Sequence, residues 1–390
     1  MKTKERQYMD FSLTEDQLDF KKAAIEFAGR ELNIGAKQRE KNREFNQAGW
    51  EKCAEFGIHG LLVPQKYGGL EMDILTCIAA MQGLGYGCCD GGLLFSLNSH
   101  IWTCEMPILK FGTDEQKGKY LPGLANGTIK GGHAMTEPDF GSDAFGIKCK
   151  AVKNGNTYIL NGTKTFITNA PLADILLVFA VTDATKKFAG LSVFLVEKTF
   201  PGFSVGKCEE LMGLKTCPLG EVILQDCEVP EENRLGGEGA GAAIFNSEME
   251  YERSCLFATH LGAMEKILEE CIDYAKVREQ FGKPIGSNQS ISHKIADMKM
   301  RVELSRLILY KAAWMKSQGK RAPIDSAIAK LYISESYVQN CLDAIQIHGG
   351  YGYSTELDFE RHLRDSVAGK IYSGTSEIQK NIIAQFLGLL

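Results

Sequence analysis

Phe245, Met249, Glu252, Leu256, Thr259 and Ala263 recur at spacings of three and four, so on a helix they share one stripe. Glu252 interrupts that mostly apolar face. A carboxylate removed from water there has its charged form disfavoured, which moves its pKa up toward the range useful for a base. Glu250 projects elsewhere and Glu248 lies nearer the stripe edge. The plainer reading of Glu252 is a salt bridge with Arg253 or Arg278. Arg278 precedes the break Gly282-Lys283-Pro284. A guanidinium there suits a pyrophosphate, because it bonds two oxygens at once. An Arg near a helix end is more often a solvated charge or a partner of the helix dipole.

Two glycine-bearing segments carry further candidates. In 134–143, Gly141 allows close backbone approach and Ser142 offers a hydroxyl beside free amides. The bland reading is a domain-linking turn. Gln346 ends a helix and Gly349-Gly350 make a natural stop behind it. The run Gly349-Gly350-Tyr351-Gly352 is not GxGxxG and follows a helix, which excludes a nicotinamide-type fold. His133, His348 and His362 stand isolated, and none of the twelve cysteines forms a CxxC pair. No metal site is expected, and the thiols read as reduced small hydrophobes of a cytoplasmic protein.

The elements that position these residues fall into three regions. Over 13–126 the pattern is helical, with capping boxes at Thr14/Gln17 and Thr113/Gln116 and an apolar face of Ile25, Ala28 and Leu32. Over 131–235 the period becomes that of strands: 158–160, 165–167, 176–179 and 191–194 are β-rich, with turn dipeptides at Asn154-Gly155 and Asn161-Gly162. Long helical stretches return over 240–275, 291–318, 325–348 and 375–388. The expected fold is α+β and multidomain. It has an N-terminal helical domain over 1–130, a central antiparallel β-barrel over 131–235 and a C-terminal four-helix bundle over 236–390. The formal net charge of −5 argues against nucleic acid or an anionic membrane as partner. No apolar run reaches the length of a membrane span, and the charged start Met1 to Arg6 does not read as a secretory signal.

The segment 134–143 (Ala-Met-Thr-Glu-Pro-Asp-Phe-Gly-Ser-Asp) resembles the first motif of the acyl-CoA dehydrogenase family. The segment 346–353, continuing through Glu356, Arg361 and Asp365, resembles a second, and 278–285 and 371–379 resemble two more. The resemblance covers nearly the whole chain. It implies FAD as cofactor, with Met135, Thr136, Ser142 and Thr168 as contacts and Phe166 where many members carry Trp. It also places Arg278, Gln280 and Phe281 on the FAD of a neighbouring subunit, and Gln346, Gly350, Thr375 and Glu377 on FAD, which implies a homotetramer. Ser142, Arg253, Tyr372 and Ser373 would touch substrate.

The implied reaction is α,β-dehydrogenation of an acyl thioester, carried on CoA or on a carrier protein, with electrons passing to an electron-transfer flavoprotein or to oxygen. It needs a base for the α-proton. Many members place a Glu between Tyr and Gly of the fourth motif, where this chain has Ser373. A serine hydroxyl is too weak a base without an activating partner. Isovaleryl-CoA and long-chain members carry the base in a Glu-Arg pair on an earlier helix, which Glu252-Arg253 matches. The fourth-motif backbone amide that would polarise the thioester carbonyl survives the change to serine. Rival readings are an enoyl-thioester reductase, an oxygen-using oxidase, or a non-catalytic member that binds FAD and an acyl group.

Overall fold

The computed structural model describes residues 12–389. The charged start, Met1 to Arg6, lies outside the described residues.

The N-terminal helices are α1 (Glu15–Glu31), α2 (Ala36–Asn42), α3 (Gln47–Glu55), α4 (Ile74–Gly87), α5 (Gly91–Asn98), α6 (Met106–Phe111) and α7 (Asp114–Ala125). A π-helical segment, Ser99–Glu105, joins α5 to α6. Both capping boxes form: Thr14 and Thr113 each accept from the amide three residues on, and Gln17 and Gln116 reach back to the cap amides. Ala28 and Leu32 are fully buried. The apolar helix α4 lies between α1 and α9 (Ala258–Val277).

The central strands are β1 (Gly131–Ala134), β2 (Lys150–Asn154), β3 (Thr157–Thr168), β4 (Ile175–Val181), β5 (Leu191–Glu197), β6 (Phe203–Cys208), β7 (Leu219–Pro230) and β8 (Arg234–Leu235). The hydrogen-bonded order is β6-β7-β3-β2-β4-β5-β8, with β1 joined to β4. Most neighbours are antiparallel, as expected, but β1 and β2 both pair parallel to β4, so the sheet is mixed. Asn154-Gly155 makes the β2–β3 hairpin. Asn161-Gly162 does not turn the chain. It lies inside β3 at a register shift against β7, where a Cβ on Gly162 would meet Cys149 Cα at 2.8 Å. The glycine thus serves a bulge with a close backbone approach.

The C-terminal layer contains α8 (Gly241–Cys255), α9, a small hairpin of β9 (Glu279–Gln280) and β10 (Lys283–Pro284), then α10 (Gln289–Ser317) and α11 (Pro323–His348). Three shorter helices follow: α12 (Gly350–Tyr353), α13 (Phe359–Ala368) and α14 (Ser376–Phe386). Helices α9, α10 and α11 pack on one another, and α8 and α14 lie against α11. The stretch over 240–275 is two helices and not one. Ser254 Oγ bonds back to Glu250 O at 2.7 Å, and Phe257 N bonds to Ser254 O at 3.1 Å, which tightens the backbone into a turn. No helix of the described residues is long and apolar enough to cross a membrane.

Candidate active site

The stripe read on α8 and α9 is buried along its whole length. Phe245, Met249, Glu252, Leu256, Thr259 and Ala263 are each at most 8% exposed. The turn at 256–257 keeps the αR conformation at Leu256, so the face continues across the break. Glu252 enters this face as a buried carboxylate. Its Oε1 accepts a 2.7 Å hydrogen bond from Ser373 Oγ, and its Oε2 is buried with no partner.

Ser373 stands in the loop between α13 and α14 in the left-handed region, at φ 56°. A β-carbon residue there is strained and persists only where its surroundings hold it. Two side chains do so. Arg253 Nε donates to Ser373 O at 3.1 Å, and Gln379 Nε2 donates to Ser373 O at 3.1 Å and to Gly374 O at 2.8 Å. Thr375 caps α14, its side chain accepting from Ile378 N. Tyr372 turns its hydroxyl to His260 Nε2 at 3.0 Å. Tyr372 and Leu256 also line a small cavity of about 40 Å³ with Leu94, Phe95, Thr259 and Ala263.

The sequence left His133 isolated, and the structure corrects this. His133 Nδ1 bonds Glu248, and one ligand-type atom each from His133, Glu248 and Glu252 lie within 4.8 Å of one another. The partners are 115 residues apart in the chain, so no local spacing could show them. Glu248 is only 2% exposed, and its Oε2 is buried and unpartnered. Burial drives its carboxyl up to about 7, against the pull of His133. At His133 burial opposes the imidazolium, but the adjoining Glu248, helped by Glu252, outweighs it and raises the ring. His348 bonds Ala344 O within its own helix and stacks on Tyr274, and His362 meets Tyr337.

The remaining candidates form two groups. Met135 is buried just past β1, and Thr136 O accepts from Thr165 N at 2.9 Å, which ties that loop to β3. Ser142 is exposed at a bend beyond it. On β3, Phe166 is 58% exposed at φ 55°, and Thr168 is half-buried. Elsewhere, Arg278 caps α9, and Gln280 and the 96%-exposed Phe281 occupy the β9–β10 hairpin. Arg278, Gln280, Gly349 and Gly350 line one open cleft of about 520 Å³. Gln346 is exposed in the last turn of α11, and Glu377 in the first turn of α14.

Three contiguous matches settle the family. The acyl-CoA dehydrogenase N-terminal, middle and C-terminal domains match residues 14–128, 132–227 and 239–388. The chain belongs to the acyl-CoA dehydrogenase family. Among its relatives, an L-prolyl-[peptidyl-carrier protein] dehydrogenase of Serratia sp. is 43% identical over 381 residues, covering 98% of this chain and 99% of that protein. The crystal structure of the prolyl acyl carrier protein oxidase AnaB is 48% identical, with a TM-score of 0.95 over 97% of this chain and all of that one (100%). The structure of PigA with FAD and proline is 42% identical, with a TM-score of 0.95 over 98% of this chain and 100% of that one. The acyl-CoA dehydrogenase fold therefore runs through essentially the entire chain, with the Glu252–Ser373 contact where its fourth motif meets α8.

Proposed function

We propose that this acyl-CoA dehydrogenase family member desaturates the Cα–Cβ bond of a small acyl thioester, with Glu252 taking the α-proton. One observation carries the reading. Ser373 occupies the place of the fourth-motif base, and its hydroxyl holds a buried Glu252 carboxylate whose second oxygen has no partner. A carboxylate fixed on one oxygen and open on the other is arranged to accept a proton. Arg253 and Gln379 hold the Ser373 carbonyl, and with it the backbone amides of that loop, in position to polarise the thioester carbonyl.

The residues present fit FAD. The open cleft presents a guanidinium at Arg278 and bare backbone at Gly349 and Gly350, a donor set suited to pyrophosphate and ribose. Phe166 offers an exposed aromatic face at a left-handed backbone position beside Thr168. Met135, Thr136, Ser142, Phe166 and Thr168 would hold the flavin end, and Gln346, Gly350, Thr375 and Glu377 the remainder. When bound, FAD supplies the acceptor for the β-hydride. Helix α9 has 20 residues, so Arg278 lies roughly 30 Å from its start near Glu252. That separation supports Arg278, Gln280 and Phe281 serving the cofactor of another copy, in a homotetramer of three-part subunits (1–130, 131–235, 236–390).

The cavity beyond Tyr372 has room for a few heavy atoms, which supports a short or compact acyl group. With the carrier-protein relatives, it favours a prolyl-type group on a carrier protein over a long acyl-CoA. All twelve cysteines are free, which supports a reducing, cytoplasmic setting. An electron-transfer flavoprotein or oxygen takes the electrons, and peroxide formed without an added acceptor picks oxygen. The test is anaerobic mixing with butyryl-, isovaleryl-, octanoyl- and prolyl-thioesters on CoA and on a carrier protein. Flavin bleaching by one of them, lost in Glu252→Gln, supports the reading. No bleaching by any, with FAD bound, overturns it.

A further inference from the structure

We infer that Glu248, held by His133, is the acceptor for an amine on the α-carbon of the substrate, so that the site selects α-aminoacyl thioesters over plain acyl thioesters. The inference rests on Glu252 being the base. Glu248 and Glu252 are four residues apart on α8 and therefore point the same way. Each has one oxygen engaged, by His133 and by Ser373, and each has a second oxygen buried without a donor. Buried acceptor oxygens left without a donor are costly, and a ligand that brings a donor to them relieves that cost.

The required partner follows from the chemistry of the base. The proton that Glu252 removes is on Cα. In an α-aminoacyl thioester the nitrogen is bonded to that same carbon, so an N–H lies one bond from the abstracted C–H. Glu248 and Glu252 each bring a carboxylate oxygen to one cluster whose ligand atoms lie within 4.8 Å of one another, a spacing suited to neighbouring C–H and N–H groups, Glu252 on carbon and Glu248 on nitrogen. An alkyl acyl group supplies no donor and leaves Glu248 Oε2 stranded, which disfavours it by roughly 10- to 100-fold. Phe179 and Phe245 flank the His133 ring, and the nearby Lys164 ammonium is engaged by Met135 O and Glu137. His133 is a positioning residue: its bond to Glu248 fixes one oxygen and leaves the other for the ligand.

The test compares prolyl- and cyclopentanecarbonyl-pantetheine thioesters, rings of equal size that differ in the nitrogen. Dissociation constants are measured by calorimetry on the FAD-loaded Glu252→Gln protein, which binds without turnover. The expected result is a preference of at least tenfold for the prolyl thioester. Adding Glu248→Gln brings the ratio close to one, and adding Glu248→Asp restores part of it. No preference in the Glu252→Gln protein, or a preference unchanged by Glu248→Gln, overturns the inference. The first comparison needs no change at Glu248, so it decides even if Glu248→Gln does not fold. Bleaching of the unmodified enzyme by either thioester is recorded separately. Its absence sinks the dehydrogenase reading, whereas a lost prolyl preference with bleaching intact sinks only the role of Glu248.

Discussion

Ser373 Oγ and Glu252 Oε1 are joined by a 2.7 Å hydrogen bond between the α13–α14 loop and α8, across 121 residues of chain. The two positions thus converge on one point, and a carboxylate on either could reach it. Glu252→Gln is expected to slow flavin reduction by about 10²- to 10⁴-fold, the usual contribution of a general base. Ser373→Ala removes a donor but not the base, and is expected to slow it by less than about tenfold. The double variant Glu252→Gln/Ser373→Glu moves the carboxylate across the bond and should recover part of the rate. Stopped-flow bleaching under anaerobic conditions measures all three. A double variant as dead as Glu252→Gln, with FAD still bound, would count against convergence on one point.

Lys330 is a second buried charge near this site. It lies on α11, is fully buried at 0% exposure, and its Nζ has no hydrogen-bond partner. Burial, only partly offset by Glu335, lowers its pKa from 10.5 to about 8. Between pH 8 and 10.5 the unfolded chain holds a proton that the folded chain has released, so stability rises with pH across that window. Below it the buried ammonium costs on the order of 3 kcal/mol. Lys330→Met should therefore be more stable than the parent at pH 7, with the gap closing as pH rises from 8 toward 10.5. Chemical denaturation at several pH values reads this, and a gap that stays constant with pH would refute it.

Features governed by neighbours in sequence were legible beforehand, and those governed by distant ones were not. Thr14 with Gln17 and Thr113 with Gln116 act within three residues, and both capping boxes form as read. The Glu252 stripe was legible because helical spacing alone decides which residues share a face, and all six are buried. The parallel pairing of β1 with β4 depends on segments about 45 residues apart, which a period-2 pattern cannot register. Asn161-Gly162 has the letters of a turn, but pairing with β7 on both sides overrides them and leaves a bulge. The break at 256–257 has neither Gly nor Pro, and its cause, Ser254 bonding back to Glu250, is a side-chain choice that the sequence leaves open. Glu248 could have been suspected, four residues before Glu252, but nothing in the sequence points from it to His133.

Arg278 and Phe281 carry the proposals about cofactor and assembly. Phe281 is 96% exposed on a two-stranded hairpin, and Val277, at the end of α9 four residues earlier, is 77% exposed. Large apolar side chains so exposed and close in the chain are the kind that another molecule covers. Phe281→Asp is expected to shift the assembly toward smaller species, read by light scattering, and to lower bound FAD in parallel. Arg278→Ala is expected to lower FAD occupancy, read from the flavin-to-protein absorbance ratio, and Arg278→Lys to restore it only in part, since an ammonium lacks the planar fork. A monomeric parent that binds FAD fully would refute the assignment of Arg278 to a neighbouring subunit.

The close crossing of α4 and α9 ties the stability of the fold to the face that carries Glu252. A Cβ on Gly85 would lie 2.0 Å from Thr259 O, and a Cβ on Gly262 would lie 2.0 Å from Gln82 O. Both obstacles are backbone, so neither helix can yield by a side-chain rotation. Thr259 belongs to the same buried stripe as Glu252 and lines the small cavity beside Tyr372. Pushing α9 away from α4 therefore costs packing and also moves a wall of the cavity proposed above for the acyl group. Gly262→Ala and Gly85→Ala should each destabilise the protein by about 3 kcal/mol or more. Gly85→Ala should also lower kcat/KM for the acyl thioester in whatever fraction still folds. The control is Gly29→Ala on α1, where a Cβ meets nothing within 4 Å. That change is expected to stabilise by roughly 0.5–1 kcal/mol, because alanine loses less backbone freedom in a helix. Thermal melting of the three variants orders them, and a Gly85→Ala protein as stable as the Gly29→Ala control would mean that the helices can separate without loss.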